Sequence, residues 1–205
     1  MVNQIKFFTY WGAVKVTFNF FFTKSINMDS VESLEDLIEC LNHSEPSNQG
    51  KILKQMNIPI SDFEAYASWA KKGYTRNCIN RTKEYELILL CWKKGDITPI
   101  HGHDGQKCWV YQIEGDITEI RYKKNEADDL IETNKQQLSP GGLTFMNEAM
   151  GYHRLINNTD GRAMTLHVYV SPITSCEIFN DEKNDFILKD LQYDTVHQIA
   201  LAEAE

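Results

Sequence analysis

The sequence lacks the features that identify nucleic-acid-binding and disulfide-rich secreted proteins. Its 205 residues include 21 Lys and Arg against 29 Asp and Glu, which gives a formal net charge of −8 at pH 7. A negative field of this size repels phosphate backbones, so we expect no nucleic acid as a partner. The five cysteines form no CxxC pair and are too sparse for a disulfide scaffold. They favour a reducing compartment and therefore a cytoplasmic location.

Long apolar runs are also missing, although the N-terminus comes near to one. Residues 6–24 are aromatic enough to suggest a signal peptide or an anchor, but Lys15 interrupts them and no small-residue cleavage site follows. The apolar runs fall short of the ~20 residues that a membrane-spanning helix needs, so we predict no membrane segment. We predict that residues 1–27 are an accessory extension, and that translation starting at Met28 gives one domain over residues 28–205.

The period of the apolar residues changes about one third of the way along the chain. Amphipathic spacing predicts helices over residues 31–41, 51–56 and 60–72, the last running from an N-cap at Ser61 to a stop at Gly73. Beyond it, short β-branched and aromatic segments separated by turn residues predict antiparallel strands. These strands are residues 85–92, 101–115, 116–122, 142–147 and 164–170, with a charged, exposed connection over residues 123–135. The sequence therefore predicts a mainly β sandwich or barrel with a small N-terminal helical cap.

Two histidines stand one residue apart in the second of these predicted strands. Alternate strand residues leave the same face of a sheet, so His101 and His103 can converge on one ion. An isolated pair of this kind more often faces solvent, but Gly95 and Gly115 complete the pattern G-x5-H-x-H-x4-C-x6-G. This pattern resembles the first motif of the cupin superfamily, which places two metal-ligating histidines in a jelly-roll-like β-barrel. Cys108 stands where that motif usually carries a glutamate ligand.

A third histidine follows in a segment that resembles the second cupin motif. Gly151, His153 and Asn157 match its glycine, histidine and asparagine, although the proline of that motif is missing. Three neutral imidazoles would leave a divalent ion its full charge and open coordination positions. Imidazole suits Zn, Cu, Fe and Ni alike, so the ligands leave the metal open. A zinc-dependent isomerase or hydrolase and a non-catalytic ligand-binding cupin remain alternatives.

Four stretches, one of them the histidine segment itself, resemble the cysteine dioxygenases, which are cupin enzymes. They are GYTRN (73–77), ILLCW (88–92), HGHDGQKC (101–108) and LHVYVSP (166–172). Order and spacing agree with that family from about Leu34 to Cys176. The resemblance implies a monomeric, Fe2+-dependent enzyme that oxidises L-cysteine with O2 to cysteine sulfinic acid, in the catabolism of cysteine towards taurine and sulfate.

The resemblance also implies roles for five residues around the iron and the substrate. His101, His103 and His153 match the iron ligands. Arg76 and Tyr74 match the residues that bind the substrate carboxylate. Tyr74 and Arg76 are two residues apart, so they share a face of an extended segment, and a planar guanidinium suits a carboxylate. Related dioxygenases of 3-mercaptopropionate typically carry glutamine at the arginine position. Arginine therefore favours cysteine as the substrate over another small thiol.

Three polar residues alternate along the last predicted strand. Thr165, His167 and Tyr169 leave one face of it, and they match a hydrogen-bonded relay of the family that ends at the tyrosine near the iron. Threonine replaces the more usual serine and keeps its hydroxyl. Cys108 and Tyr169 match two residues that a thioether bond joins in many animal members, so we predict that this crosslink forms here. The alternative is an ordinary buried cysteine.

Overall fold

The computed structural model describes residues 30–198, so the predicted extension over residues 1–27 lies outside the described residues. Three short helices come first, followed by eleven strands. The helices are α1 (Leu34–Asn42), α2 (Gln49–Lys54) and α3 (Ile60–Glu64). None of the helices in this part of the chain is both long and apolar enough to cross a bilayer.

All three helices differ from their predicted bounds, and α2 begins and ends two residues before the predicted segment 51–56. α1 begins after Ser33, whose hydroxyl accepts a hydrogen bond from the Asp36 N–H at 3.1 Å. The predicted helix over residues 60–72 is wrong in length, because α3 ends at Glu64, and Pro59 rather than Ser61 precedes its first turn. Beyond α3 the chain hydrogen-bonds to the first strand instead of to itself: the Thr75 hydroxyl donates to the Ser68 carbonyl at 2.6 Å.

The strands form two facing sheets and a separate hairpin. They are β1 (Thr75–Arg81), β2 (Tyr85–Trp92), β3 (Lys107–Glu114), β4 (Ile117–Lys124), β5 (Leu130–Leu138), β6 (Leu143–Met146), β7 (Tyr152–Ile156), β8 (Ala163–Val170), β9 (Ser175–Asn180), β10 (Asp185–Asp190) and β11 (Thr195–Val196). The larger sheet has the order β11-β1-β2-β8-β3-β6, the smaller one β5-β4-β7, and β9 pairs with β10. Only β11 pairs in parallel, with β1, among the described strand pairs. The predicted mainly β, jelly-roll-like cupin fold with a small helical cap is confirmed.

Two predicted segments have a different backbone. Residues 101–106 were predicted as strand, but β3 begins only at Lys107, and the chain turns through Asp104 (φ 49°) and Gly105 (φ 76°). The two histidines of this segment therefore lie in a loop. The charged segment 123–135 was predicted as an exposed hairpin connection, and it does join two paired strands, but most of it belongs to the strands β4 and β5 themselves. β5 is an exposed edge strand, so it needs no apolar alternation.

The alternation along β2 and β8 places the core and the site on opposite faces of the larger sheet. In β2, Leu87 and Leu89 pack with the helical cap, whereas Ile88 and Trp92 face the second sheet. β8 follows the same rule, because Met164, Leu166 and Val168 face the cap. The polar residues between them must therefore leave the other face, towards the space between the sheets.

Candidate metal centre

The three predicted histidine ligands meet at one point. Nε2 of His153 lies 3.2 Å from Nε2 of His101 and 3.2 Å from Nε2 of His103. His153 comes from β7, and reciprocal backbone hydrogen bonds of 3.0 Å between His101 and His153 fasten the loop to that strand. The convergence that we predicted from strand alternation is present, but the loop and its bridge to β7 produce it.

The other ring nitrogens decide which atoms can bind an ion. His101 donates from Nδ1 to the Pro99 carbonyl at 3.0 Å, and His153 donates from Nδ1 to Glu119 Oε1 at 2.8 Å. Both rings therefore present an Nε2 lone pair, and two lone pairs facing each other repel unless a cation lies between them. Nitrogens about 2.0–2.1 Å from a shared ion lie about 3.0–3.4 Å apart. The three residues thus fit a transition-metal ion.

Burial keeps the imidazoles of His101 and His103 neutral. Removal from water, with a smaller effect of His153, lowers the pKa of His101 to about 3. The same two causes, in the same order, lower the pKa of His103 well below its usual range. A neutral imidazole is the form that binds a metal, so the centre needs no proton release from these two rings near neutral pH.

Glu119, which we did not predict from the sequence, orients one of the ligands. It lies on β4 with no exposed surface, and besides the His153 ring it accepts hydrogen bonds from Thr144 Oγ1 at 2.9 Å and from Gln136 and Arg121. Burial opposes its ionisation, but the bond from His153 and the charge of Arg121 outweigh it and lower the pKa to about 2. A carboxylate behind a histidine fixes its ring and raises its basicity as a ligand.

One signal in the sequence could have indicated this glutamate. Glu119 and Arg121 are two residues apart, so they share a face of a strand that also carries Ile117 and Ile120. A charged pair within an apolar strand indicates a buried polar network. The partner on β7 is set by the pairing of Arg121 with His153 across the two strands, which no local pattern displays.

On the opposite wall of the cavity, the guanidinium of Arg76 has hydrogen-bond donors without a partner among the described residues. His101 and His103 line a cavity of about 450 Å³ together with Tyr74, Arg76, Tyr169 and Cys176, and His153 lies buried behind them. Nε and Nη2 of Arg76 are buried without a partner among the described residues, and its guanidinium also interacts with the Tyr169 phenol. The Tyr74 ring stacks on Trp92 with centroids 4.8 Å apart. Buried, unpaired guanidinium donors fit an anionic ligand group.

The predicted relay residues share one face of β8, as expected. Trp92 Nε1 donates to Thr165 Oγ1 at 2.9 Å, and Thr165 Oγ1 lies 2.9 Å from His167 Nε2. His167 Nδ1 faces Cys108 Sγ at 4.0 Å. Between His167 and Tyr169 the structure has nearly parallel rings with centroids 6.3 Å apart, and not the hydrogen bond with which the predicted relay ends. The polar chain thus reaches the neighbourhood of the thiol and the phenol together.

The two predicted crosslink partners face each other across neighbouring strands. Cys108 of β3 pairs with Tyr169 of β8, and such pairs have Cβ atoms about 4.5–5.5 Å apart. Both side chains are buried, and burial raises the pKa of each. The Tyr169 ring also contacts that of His103, with centroids 5.7 Å apart. The structure brings the pair together beside a metal ligand, and the covalent bond stays a prediction.

Comparison with known proteins confirms the resemblance. The family model of cysteine dioxygenase type I matches residues 23–182. The human (Homo sapiens) cysteine dioxygenase type 1 is 24% identical over 134 residues, which cover 63% of this chain and 66% of the human protein, so just under two thirds of that relative's length is spanned. The zebrafish (Danio rerio) protein of the same name is 26% identical over 160 residues, covering 73% of this chain and 80% of its own.

Solved structures and the family match complete the comparison. A sugar phosphate isomerase of the cupin superfamily from Silicibacter pomeroyi superposes with a TM-score of 0.40 and 16% identity, covering 58% of this chain and 76% of that one. The family model, by contrast, extends over well more than half of the 205 residues and includes all three histidines, Arg76 and Tyr169. The chain belongs to the cysteine dioxygenase type I family.

Proposed function

We propose that this protein is a non-haem iron dioxygenase that oxidises L-cysteine to cysteine sulfinic acid with both atoms of O2. The observation that carries the proposal is the combination, in one cavity, of three converging imidazoles with two unpaired guanidinium donors of Arg76. Family membership supports this activity and supports Fe2+ among the metals that imidazole can bind. The bound Fe2+ would supply the activation of O2 and would lower the pKa of the substrate thiol.

The two walls of the cavity match the two ends of L-cysteine. Arg76 offers Nε and Nη2 in the planar arrangement that a carboxylate accepts, and the Tyr74 phenol lies beside it on the cavity wall. A substrate held there by its carboxylate presents its thiol and amine to the histidine side. This arrangement positions the sulfur without any covalent step by the protein.

Tyr169 is the residue of this chain best placed to donate a proton near the reacting atoms. Burial raises the pKa of its phenol well above the usual value, so the hydroxyl stays protonated and can donate a hydrogen bond. Its phenol interacts with Arg76 and with Cys108, and the Thr165 hydroxyl lies at hydrogen-bond distance from the neighbouring His167. Apolar side chains on the cavity wall restrict water, which limits side reactions.

The pairing of Cys108 with Tyr169 supports the predicted thioether. The bond would join Sγ to a ring carbon, and two hydrogen atoms with their electrons would leave the protein. O2, the co-substrate of the proposed reaction, is the oxidant that accepts them. We therefore expect the crosslink to accumulate during turnover and to be absent from protein that has never met both iron and O2.

Oxygen consumption tests the proposed function. The purified protein is loaded anaerobically with Fe2+, and O2 uptake and sulfinate formation are measured with L-cysteine, 3-mercaptopropionate and cysteamine. We expect L-cysteine to give the highest kcat/KM, because it alone offers thiol, amine and carboxylate together. A preference for 3-mercaptopropionate would move the substrate to another thiol, and no uptake with any of them would indicate a non-catalytic binding protein. Protein loaded with Zn2+ is the matched control, in which we expect no uptake.

We further propose that the enzyme works as a cytoplasmic monomer in cysteine catabolism, on the route to taurine and sulfate. The five free cysteines, all buried, are compatible with a reducing compartment. Light scattering behind a sizing column checks the oligomeric state, and a dimer at micromolar concentration would contradict it.

A further inference from the structure

The segment that follows β10 joins the cavity wall to the edge of the larger sheet. We call residues 191–198 the closing segment. Its first residue, Leu191, donates from its amide to the Thr174 carbonyl at 2.8 Å, and its middle forms β11, which pairs in parallel with β1. Leu191, Gln192 and Asp194 of this segment line the cavity that contains the histidines. The closing segment therefore touches both the cavity and the strand that carries Arg76.

Asp194 binds both backbone polar groups of Arg76. The Arg76 amide donates to Asp194 Oδ2 at 2.8 Å, and the Asp194 amide donates to the Arg76 carbonyl at 2.8 Å. The β1–β11 ladder begins one residue later, with Asn77 opposite Thr195. The Arg76 amide precedes the first paired residue, so it has no backbone acceptor on β11, and the Asp194 carboxylate accepts its hydrogen bond instead. A charged acceptor makes a strong hydrogen bond.

This backbone position sets the direction of the guanidinium. The Arg76 side chain is long, so a rotation of about 10° at its Cα moves the guanidinium by about 1 Å, which is enough to cost a well-aligned contact much of its effect. Of its side-chain nitrogens, Nε and Nη2 have no hydrogen-bond partner among the described residues that would fix their direction. The direction of the two free donors therefore depends on the backbone that Asp194 clamps.

We propose that Asp194 is a positioning residue for substrate binding, which acts through the Arg76 backbone to aim the guanidinium at the substrate carboxylate. The inference rests on the proposed function, since it assigns the carboxylate of L-cysteine to Arg76. It predicts that removing the Asp194 carboxylate weakens the binding of thiols that carry a carboxylate, and leaves the binding of thiols without one unchanged.

The test compares Asp194→Ala with Asp194→Asn, which keeps an oxygen acceptor. Dissociation constants for L-cysteine and cysteamine are measured by anaerobic titration of the Fe2+-loaded proteins, and KM and kcat by O2 uptake. For Asp194→Ala we expect the Kd and KM of L-cysteine to rise about five- to tenfold, roughly the effect of losing one hydrogen bond. We expect kcat to change less than about twofold. We expect Asp194→Asn to recover most of this loss, and cysteamine to bind both variants like wild type.

Two further comparisons separate positioning from a general structural role. Thr195→Val is the matched control: it removes a 2.8 Å bond from the same closing segment, from the Thr195 hydroxyl to Asn77 Oδ1. It should lower the melting temperature and leave the Kd of L-cysteine unchanged. In an Arg76→Ala background, Asp194→Ala should add nothing to the Kd of L-cysteine. Hydrogen exchange gives a readout without any ligand, since the Arg76 amide should exchange faster in Asp194→Ala relative to the rest of β1.

Three results would overturn the proposal: equal weakening of cysteamine and L-cysteine, full additivity with Arg76→Ala, or unchanged exchange at the Arg76 amide. Failure of the dioxygenase proposal is recognised separately. A wild-type protein that binds L-cysteine but consumes no O2 would contradict the activity, while the dissociation constants of the Asp194 variants would still decide the positioning role. A wild-type protein that does not bind L-cysteine would overturn both.

Discussion

The two walls of the cavity differ in how completely their polar groups are paired. On the histidine wall, the rings of His101 and His153 each donate to a fixed acceptor, and Glu119 behind His153 accepts from several donors. Only Nδ1 of His103 is buried there without a partner among the described residues. On the opposite wall, two nitrogens of the single Arg76 guanidinium are buried without a partner among the described residues. A network that the protein largely completes itself suits a permanently bound ion, whereas unpaired donors of a charged group suit a ligand that binds and leaves.

Breaking the histidine wall should have the largest effect. His153→Ala removes one of three ligands and also removes the hydrogen-bond donor to Oε1 of the buried Glu119 carboxylate. We expect no retained iron after anaerobic loading and desalting, together with a lower melting temperature, because a buried acceptor that loses its donor is costly. His43→Ala is the control, since His43 caps α1 on the surface, and it should retain iron. A fully metallated His153→Ala protein would remove this residue from the ligand set.

Changing the arginine wall should affect the substrate and spare the metal. Arg76→Ala removes both free donors, so we expect kcat/KM for L-cysteine to fall roughly hundredfold, the effect of losing two charge-assisted hydrogen bonds. Iron content should stay at the wild-type level, because Arg76 contacts none of the ligands that the bonds above define. Metal analysis beside O2 uptake checks this, and a parallel loss of iron and activity would contradict the carboxylate role.

On both walls, the residues that could be predicted are those that stand in locally recognisable sequence patterns. The histidines and Arg76 stand in short, locally recognisable stretches, and the apolar alternation of β2 and β8 correctly separates the helical cap from the cavity. Such signals are local, so one chain suffices to recognise them. The predicted strand over residues 101–106 was wrong because a turn through Asp104 and Gly105 can also place two histidines on one side.

The residues that we did not predict depend on contacts distant in sequence. Glu119 acquires its role from the pairing of β4 with β7, and Asp194 from the pairing of β11 with β1. The pairing of β11 with β1 leaves no periodic pattern, because β11 has only two residues. The pairing of β4 with β7 is not displayed by a local pattern in either strand. A charged pair such as Glu119 and Arg121 can indicate a buried network, but the partners of such residues become visible only when the sheets are assembled.

A smaller change to the histidine wall tests whether the hydrogen bond from His153 to the Glu119 carboxylate raises the affinity for the metal. Glu119→Gln keeps an oxygen acceptor for His153 but removes the charge that makes the imidazole a stronger ligand. We expect about a tenfold loss in metal affinity, the lower end for such supporting residues, with the fold retained. Competition with a chelator measures it. Glu132→Gln, on the exposed strand β5, is the control, and an affinity of Glu119→Gln equal to that of the control would show that the network adds nothing to the metal.

The smallest effect is expected where the two walls meet, at Cys108 and Tyr169. Cys108→Ala should still consume O2 with L-cysteine, because neither the ligands nor Arg76 change, but it should run as one band on a denaturing gel. Wild-type protein after turnover should give two bands, the faster one lighter by two hydrogen atoms in mass spectrometry. Cys91→Ala is the matched control, since Cys91 is equally buried but packs with the helical cap, and it should keep both bands. Two bands in Cys108→Ala would exclude the thioether, because no other described cysteine lies opposite Tyr169 in the sheet.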